Sequence, residues 1–320
     1  MGRYLLSRLA QLAVVVALVA TIVFFLIHLA PGDPFALAMS NAKVTEAMRA
    51  QWREAYGLDR PLPEQFFRYV ASVARGDLGW SFYFQRRVAD VLGDALPNTL
   101  LLMSIALLAS FAAGIGLAVV QVRKAGSLTD RVISGISLFL FSVPEFLLAS
   151  VMLFVFAFKL RLFPIDGMMD LDHSSFGLAR RLADVPYHTV LPAITLTLLF
   201  SAVVARYQRA ALLDVLPSGF VKTARAKGVP ERVIVRHHVL RNALLPTISL
   251  FGLAFPALLT GAVFIETVFS WPGMGYVIVR SIDTRDYPLL MAAVIIGSVL
   301  VALGSILADL LYLAADPRLR

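Results

Sequence analysis

The stretch Leu9–Leu29 reads LAQLAVVVALVATIVFFLIHL. It holds no Asp, Glu, Lys or Arg, and its polar side chains are Gln11, Thr21 and His28. A helix rises about 1.5 Å per residue, so a run of this length reaches across a hydrocarbon core of about 30 Å. A secretory signal has an apolar region of only about 7–15 residues. The run is therefore read as a retained membrane helix, and the rest of the chain is read in the same solvent.

Five more stretches meet the same requirement: Thr99–Gln121, Val132–Phe158, Val190–Ala211, Leu244–Phe264 and Leu289–Leu313. Composition agrees. Hydrophobic residues make up 59% and charged residues 16%, against about 25% charged in soluble domains. So few charges could not cover a soluble surface, and 22 Phe exclude a disordered chain. With no cysteine, disulfides and thiolate metal sites are excluded. The expectation is an all-α integral membrane protein with six transmembrane helices. The third stretch is interrupted by Ser142-Val143-Pro144-Glu145. Pro144 lacks a backbone donor and is expected to kink that helix.

The net charge of +8 resolves by loop. One set comprises the N-terminus, 122–131, 206–241 and the C-terminal tail. It carries 15 cations and four anions, and eight of those cations fall between Arg206 and Arg241. The other set, 30–98, 159–189 and 265–288, carries 14 of each sign once Glu266 is placed at a membrane edge. Basic loops stay on the cytoplasmic side, so both termini are read as cytoplasmic. The same imbalance argues for orientation rather than for a nucleic-acid partner.

Residues 1–30 form the first span, 31–97 an outer segment, and 98–320 a core of five spans with a cytoplasmic loop at 212–241. In the outer segment, 43–56 and 62–74 read as short amphipathic helices, either a cap on the membrane or a docking and gating surface. In the inner loop, 218–227 suits a helix with a Ser218 N-cap. Gly228 ends it, and Pro230 opens a second helix. A helix–Gly–helix unit of this kind is rigid enough to pass on a force.

Catalytic patterns are missing. No GxxxxGK[ST] loop, HExxH spacing or nucleophile–base pair is present, so no enzyme is expected. His237 and His238 are neighbours that diverge on a helix and cannot share a metal. Asp166, Asp170, Asp172 and His173 have no accompanying ligand pattern, and no metal site is expected. Glu145, Glu266 and Asp309 lie in or beside the bilayer, where ionisable groups are costly. They either bind helices together or act on a pathway, for which Pro144, Glu145 and Glu266 are the candidates.

Several motifs together resemble the first permease subunit of dipeptide, oligopeptide and nickel ABC importers. They are Ala30-Pro31-Gly32-Asp33-Pro34, Tyr56-Gly57-Leu58-Asp59-Arg60-Pro61-Leu62, Gly76-Asp77-Leu78-Gly79-Trp80-Ser81, Leu96-Pro97-Asn98-Thr99-Leu100, Thr223-Ala224-Arg225-Ala226-Lys227-Gly228, Arg241-Asn242-Ala243-Leu244-Leu245-Pro246, Phe269-Ser270-Trp271-Pro272-Gly273-Met274-Gly275, Arg285-Asp286-Tyr287-Pro288 and Asp316-Pro317-Arg318. The generic permease loop has Glu-Ala-Ala where this chain has Lys222, Thr223 and Ala224.

The resemblance implies the type I ABC importer permease fold in a bacterial inner membrane. It implies a heterodimer with a second homologous permease, two cytoplasmic ATPases, and a periplasmic or lipid-anchored substrate-binding protein. The ATPase-coupling element would be Phe220, Lys222, Thr223, Ala224, Arg225, Ala226, Lys227, Gly228, Val229 and Pro230. No cofactor is expected on this chain, since ATP and Mg²⁺ would sit on the ATPases. Peptides, glutathione, nickel chelates and some sugars are the family's solutes. From the residues alone, an ion-coupled secondary transporter remains the alternative, with Glu145 as its one central acid.

Overall fold

Helix α1 (Gly2–Leu29) forms on the apolar run Leu9–Leu29. The computed structural model describes residues 2–29, 45, 47 and 59–315, with side chains left out at 2–5, 245, 249, 252–261, 308 and 311–315. The Ala30–Pro34 turn, the tail motif Asp316-Pro317-Arg318, Tyr56–Leu58 and most of the expected helix over 43–56 lie outside the described residues. The other expected outer helix is present as α2 (Leu62–Ala74), started by prolines at 61 and 63. A two-residue antiparallel hairpin follows, β1 (Trp80–Ser81) on β2 (Arg86–Arg87), a small departure from the all-α expectation.

Helix α3 (Val88–Arg123) begins eleven residues before the expected span, with Pro97 inside it. Helix α4 (Leu128–Ser142) and α5 (Glu145–Met152) replace the kinked third span. A π-helical turn over Leu153–Lys159 continues α5. The two segments meet at 106°, a break rather than a kink. Proline disfavours helix at the residue before it, and Val143 is extended at φ −78°, ψ 129°. Pro144 then caps α5, its carbonyl accepting from the N–H groups of Leu147 and Leu148.

Helix α6 (Leu178–Val215) begins twelve residues before the expected Val190, running through Pro186 and Pro192. The expected span starts where the apolar run starts, but the helix extends back through the polar stretch 178–189, and it tolerates its prolines where neighbours satisfy the freed carbonyls. Next come α7 (Gly219–Ala226), α8 (Glu231–Val233) and a π-helical turn over Ile234–Val239. The chain ends with α9 (Leu240–Val268), α10 (Met274–Asp283) and α11 (Tyr287–Ala315). Among the described residues, four helices (α1, α3, α6 and α11) are long and apolar enough to cross a membrane, or five spans if α4 with α5 counts as one.

The chain divides into two compact units. The first joins residues 1–99 to 272–303. Its core packs Val88, Val91 and Leu92 against Met274, Val277 and Leu289. Here several motifs acquire physical reasons. Asn98 donates to the Pro272 carbonyl at 2.9 Å, and Thr99 Oγ1 accepts from Met274 N–H at 2.7 Å. Buried Asp286 accepts from Ser81 Oγ at 2.6 Å and Tyr83 N–H at 3.0 Å, tying the hairpin to the start of α11. Burial pushes the Asp286 carboxyl above its usual value, and the bonds from Ser81, Tyr83 and Leu289 offset only part of that.

The second unit holds residues 100–271 with 304–320. Its core runs from Leu102, Met103 and Ala106 to Leu196, Ile265 and Trp271. Helices α3 and α6 approach closely at Gly114, where an added Cβ would sit 2.6 Å from Val204 Cβ and 2.9 Å from the Ser201 carbonyl. Ser110, Gly114 and Ala118 are all buried, a small-residue stripe at intervals of four. Such stripes let helices pack closely in lipid, where no hydrophobic force separates helix from solvent.

Candidate coupling site

Helix α7 is short, but one face is fixed. Val221 and Ala224 are buried among Ala118, Val122, Ala211, Leu212, Ile234 and Val239. The opposite face, Phe220, Lys222, Thr223, Arg225, Ala226 and Lys227, is exposed. Ser218 occupies the expected N-cap position with extended backbone, yet its hydroxyl donates back to the Val215 carbonyl at 2.6 Å instead of capping the helix.

The turn at Gly228 is a complete Schellman motif. Gly228 has φ +76°, its N–H donates to the Arg225 carbonyl at 2.9 Å, and Val229 N–H donates to the Ala224 carbonyl at 3.2 Å. Val229 packs against the apolar cluster that contains Ala224. Pro230 then caps α8, accepting from Val233 and Ile234 N–H.

A clamp crosses the turn. Arg225 Nε donates to Glu231 Oε2 at 3.0 Å, and a terminal nitrogen donates to Oε1 at 2.6 Å. The hydrogen bond and charge of Arg225 hold the Glu231 carboxyl below its usual range. An exposed pair contributes about 0–1 kcal/mol to stability, but the two-point geometry fixes the angle between α7 and α8. Sequence reading counted Glu231 only as a stray anion, and nothing in the spacing named its partner.

Two polar links, also missed, hold the helices that carry this loop. Asp130 is 5% exposed and accepts from Arg209 Nε at 3.1 Å and a terminal nitrogen at 3.0 Å, as well as from Gly126 N–H. Gln208, fully buried, donates to the Ala243 carbonyl at 3.1 Å and accepts from Thr247 Oγ1, joining α6 to α9. These partners lie 35 to 79 residues apart in sequence, so only folding brings them together.

Of the expected pathway groups, Pro144 is exposed at the break before α5, and Glu145 is half-buried in the first turn of α5. Glu266 is fully buried on α9, which packs on α5. Asp309 is half-buried on α11. His237 and His238 are exposed in the π-helical turn.

The family model described as "binding-protein-dependent transport system inner membrane component" matches residues 106–320, and its N-terminal companion matches residues 1–103. The oligopeptide transport system permease protein AppB of Bacillus subtilis is 35% identical over 320 residues, covering 100% of this chain and 99% of that protein. The di/tripeptide transport system permease protein DppB of Pseudomonas aeruginosa is 37% identical, covering 94% of each. A glutathione transport system permease protein, GsiC of Escherichia coli, is 37% identical, covering 100% of this chain and 99% of that protein. Among solved structures, an inward-facing form of the MetNI methionine ABC transporter matches with TM-score 0.58 and 18% identity, covering 71% of this chain and 96% of that one. That likeness concerns the fold. None of these matches supports the ion-coupled alternative.

Proposed function

This chain belongs to the family of inner membrane components of binding-protein-dependent transport systems, and from that premise we propose that it forms half of the pathway of an ATP-driven peptide importer. The single observation that carries this reading is α7: a helix anchored by Val221 and Ala224, clamped at its end, and presenting Phe220 at 46% exposure. An apolar ring held outward on a fixed element is suited to a partner's groove. The partners are a second, homologous permease, two cytoplasmic ATPases and an external binding protein. ATP and Mg²⁺ belong to the ATPases. Six spans with both termini in the cytoplasm fit the basic 206–241 loop, and the 29 residues of α9 supply the length of the remaining span.

ATP-driven closure of the ATPases moves α7, and the clamp carries that movement into α8 and α9. The equilibrium between inward- and outward-facing pathways is thereby biased. Peptide is the substrate class because the relatives named for oligopeptide and di/tripeptide transport match over nearly the full chain.

The test of docking is Phe220→Asp in the complete transporter. Removing an aromatic anchor typically costs about 2 kcal/mol or more, or roughly 30-fold in affinity. Recovery of ATPase subunits with the purified permease and ATP-dependent tripeptide uptake should both fall by about that factor, at unchanged membrane level. Undiminished recovery and uptake would overturn the docking assignment.

Glu145 and Glu266 are assigned to the passage of a charged solute, supported by a half-buried acid at a helix break that packs on α9. Glu145→Gln should lower uptake of a cationic tripeptide about tenfold, the effect of about 1.4 kcal/mol, more than that of an anionic one. Equal uptake of both, at the wild-type rate, removes Glu145 from that role.

A further inference from the structure

The loop before α6 gathers ligand chemistry that sequence reading set aside. Asp166, Asp170, Asp172 and His173 lacked companions in sequence. The early start of α6 supplies them: Asp184 and His188 lie on its first turns, beside Asp170. One carboxylate oxygen from each of Asp170 and Asp184 and one ring nitrogen of His188 lie within 4.8 Å of one another. The side chains of Asp184 and His188 are only 4% and 2% exposed.

The proton positions follow from the partners. His188 Nδ1 lies 3.0 Å from the Asp184 carbonyl, which can only accept, so Nδ1 carries the hydrogen. Nδ1 also faces Asp184 Oδ1 at 3.2 Å. The other nitrogen, Nε2, makes no hydrogen bond to a described residue and faces Asp170 Oδ1 at 3.9 Å, beyond hydrogen-bond range. A buried imidazole thus aims a lone pair at a carboxylate oxygen. Two acceptors across such a gap repel unless a cation lies between them. Metal–nitrogen and metal–oxygen bonds of about 2.0–2.2 Å each would span it.

The surroundings orient these atoms. Arg181 Nε donates to His173 Nε2 at 3.3 Å, which places the His173 hydrogen on Nδ1, 2.5 Å from Asp184 Oδ2. Asp170 N–H also donates to Oδ2, at 3.1 Å. Oδ2 therefore carries two donors, whereas Oδ1 meets only His188 Nδ1, at 3.2 Å, and keeps a second lone pair for a ligand. Hydrogen bonds from a second histidine and a backbone N–H are the usual supports of a metal-binding carboxylate. Arg180, stacked over Phe176, approaches the other oxygen of Asp170 at 3.7 Å and leaves Oδ1 open.

We propose that Asp170, Asp184 and His188 bind a divalent transition-metal cation, with the remaining coordination positions taken by water. An imidazole with two carboxylates favours Zn²⁺ and its neighbours over Ca²⁺ or Mg²⁺, which take oxygen ligands. Bound metal joins the loop at Asp170 to the first turns of α6.

The experiment uses the full chain in its detergent-purified transporter, stripped with EDTA and titrated with Zn²⁺ by calorimetry. One Zn²⁺ per permease chain is expected, with a raised melting temperature and far weaker binding of Ca²⁺. His188→Gln and the exposed-site variant Asp170→Asn should each weaken Zn²⁺ binding about tenfold or more. Asp170→Asn should melt like the wild type in EDTA, which separates ligand loss from misfolding. No stoichiometric Zn²⁺ uptake, or wild-type affinity in both variants, would overturn the site.

Discussion

Gly114→Leu should remove the protein from the membrane or leave it unable to transport. Even the first added carbon would lie 2.6 Å from Val204 Cβ and 2.9 Å from the Ser201 carbonyl. The second obstacle is backbone, which cannot rotate away, so α3 and α6 must separate. Inserting carbons into a packed interior costs about 1–3 kcal/mol when side chains alone adjust, and more when a helix pair must shift. Separation would also strip the contacts that Ser110 and Ala118 make possible above and below. Gly116 is the control, two residues along the same helix, exposed, with nothing within 4 Å of where its Cβ would sit. Gly116→Leu should accumulate, melt and transport as the parent does. A Gly114→Leu chain that accumulates and melts normally would show that the approach of α3 to α6 does not matter.

The contrast between those two glycines shows what sequence could and could not supply. Both stand in one apolar run; the Ser110-Gly114-Ala118 spacing marks one face of it, but that α6 packs on that face is a property of the fold. Membrane class was legible because it rests on composition and run length, which are local properties. The α7–Gly228–α8 turn was legible for the same reason: Ser218, Gly228 and Pro230 each carry a backbone preference that acts within a few residues. The Schellman bonds at Gly228 are the physical form of that preference.

What escaped was set by distant partners or by competition between rules. Asp130 and Arg209 entered the charge count as loop ions, yet they form a two-point pair across 79 residues. The apolar run begins only at Val190, so Asp184 and His188 fall in the loop set, and their approach to Asp170 comes from the early start of α6. Packing of a long helix outweighed the local cost of its prolines. At Pro144 the outcome was the reverse: the local rule was underestimated, and an expected kink became a 106° break.

Gly228→Pro should uncouple the transporter while leaving the membrane core intact. Proline holds φ near −65°, and this position requires +76°. It also removes the N–H that donates to the Arg225 carbonyl. Without that cap the chain leaves α7 in another direction, and Arg225 and Glu231 can no longer meet in their two-point geometry. The change is local, because Val221 and Ala224 still anchor α7. ATPase recovery should therefore fall little, while ATP-dependent uptake falls by about 100-fold, the effect of about 2.8 kcal/mol on the coupled step. Gly228→Asn should restore most of the uptake, since asparagine tolerates positive φ better than other side chains. Arg225→Ala isolates the clamp: an exposed pair contributes about 0–1 kcal/mol to stability, so any uptake loss beyond that scale belongs to the lost angle between α7 and α8. Wild-type uptake in Gly228→Pro would mean that force does not pass through this turn. Loss of uptake in Gly228→Asn equal to that in proline would mean that the position tolerates no side chain, and that its conformation alone does not explain the glycine.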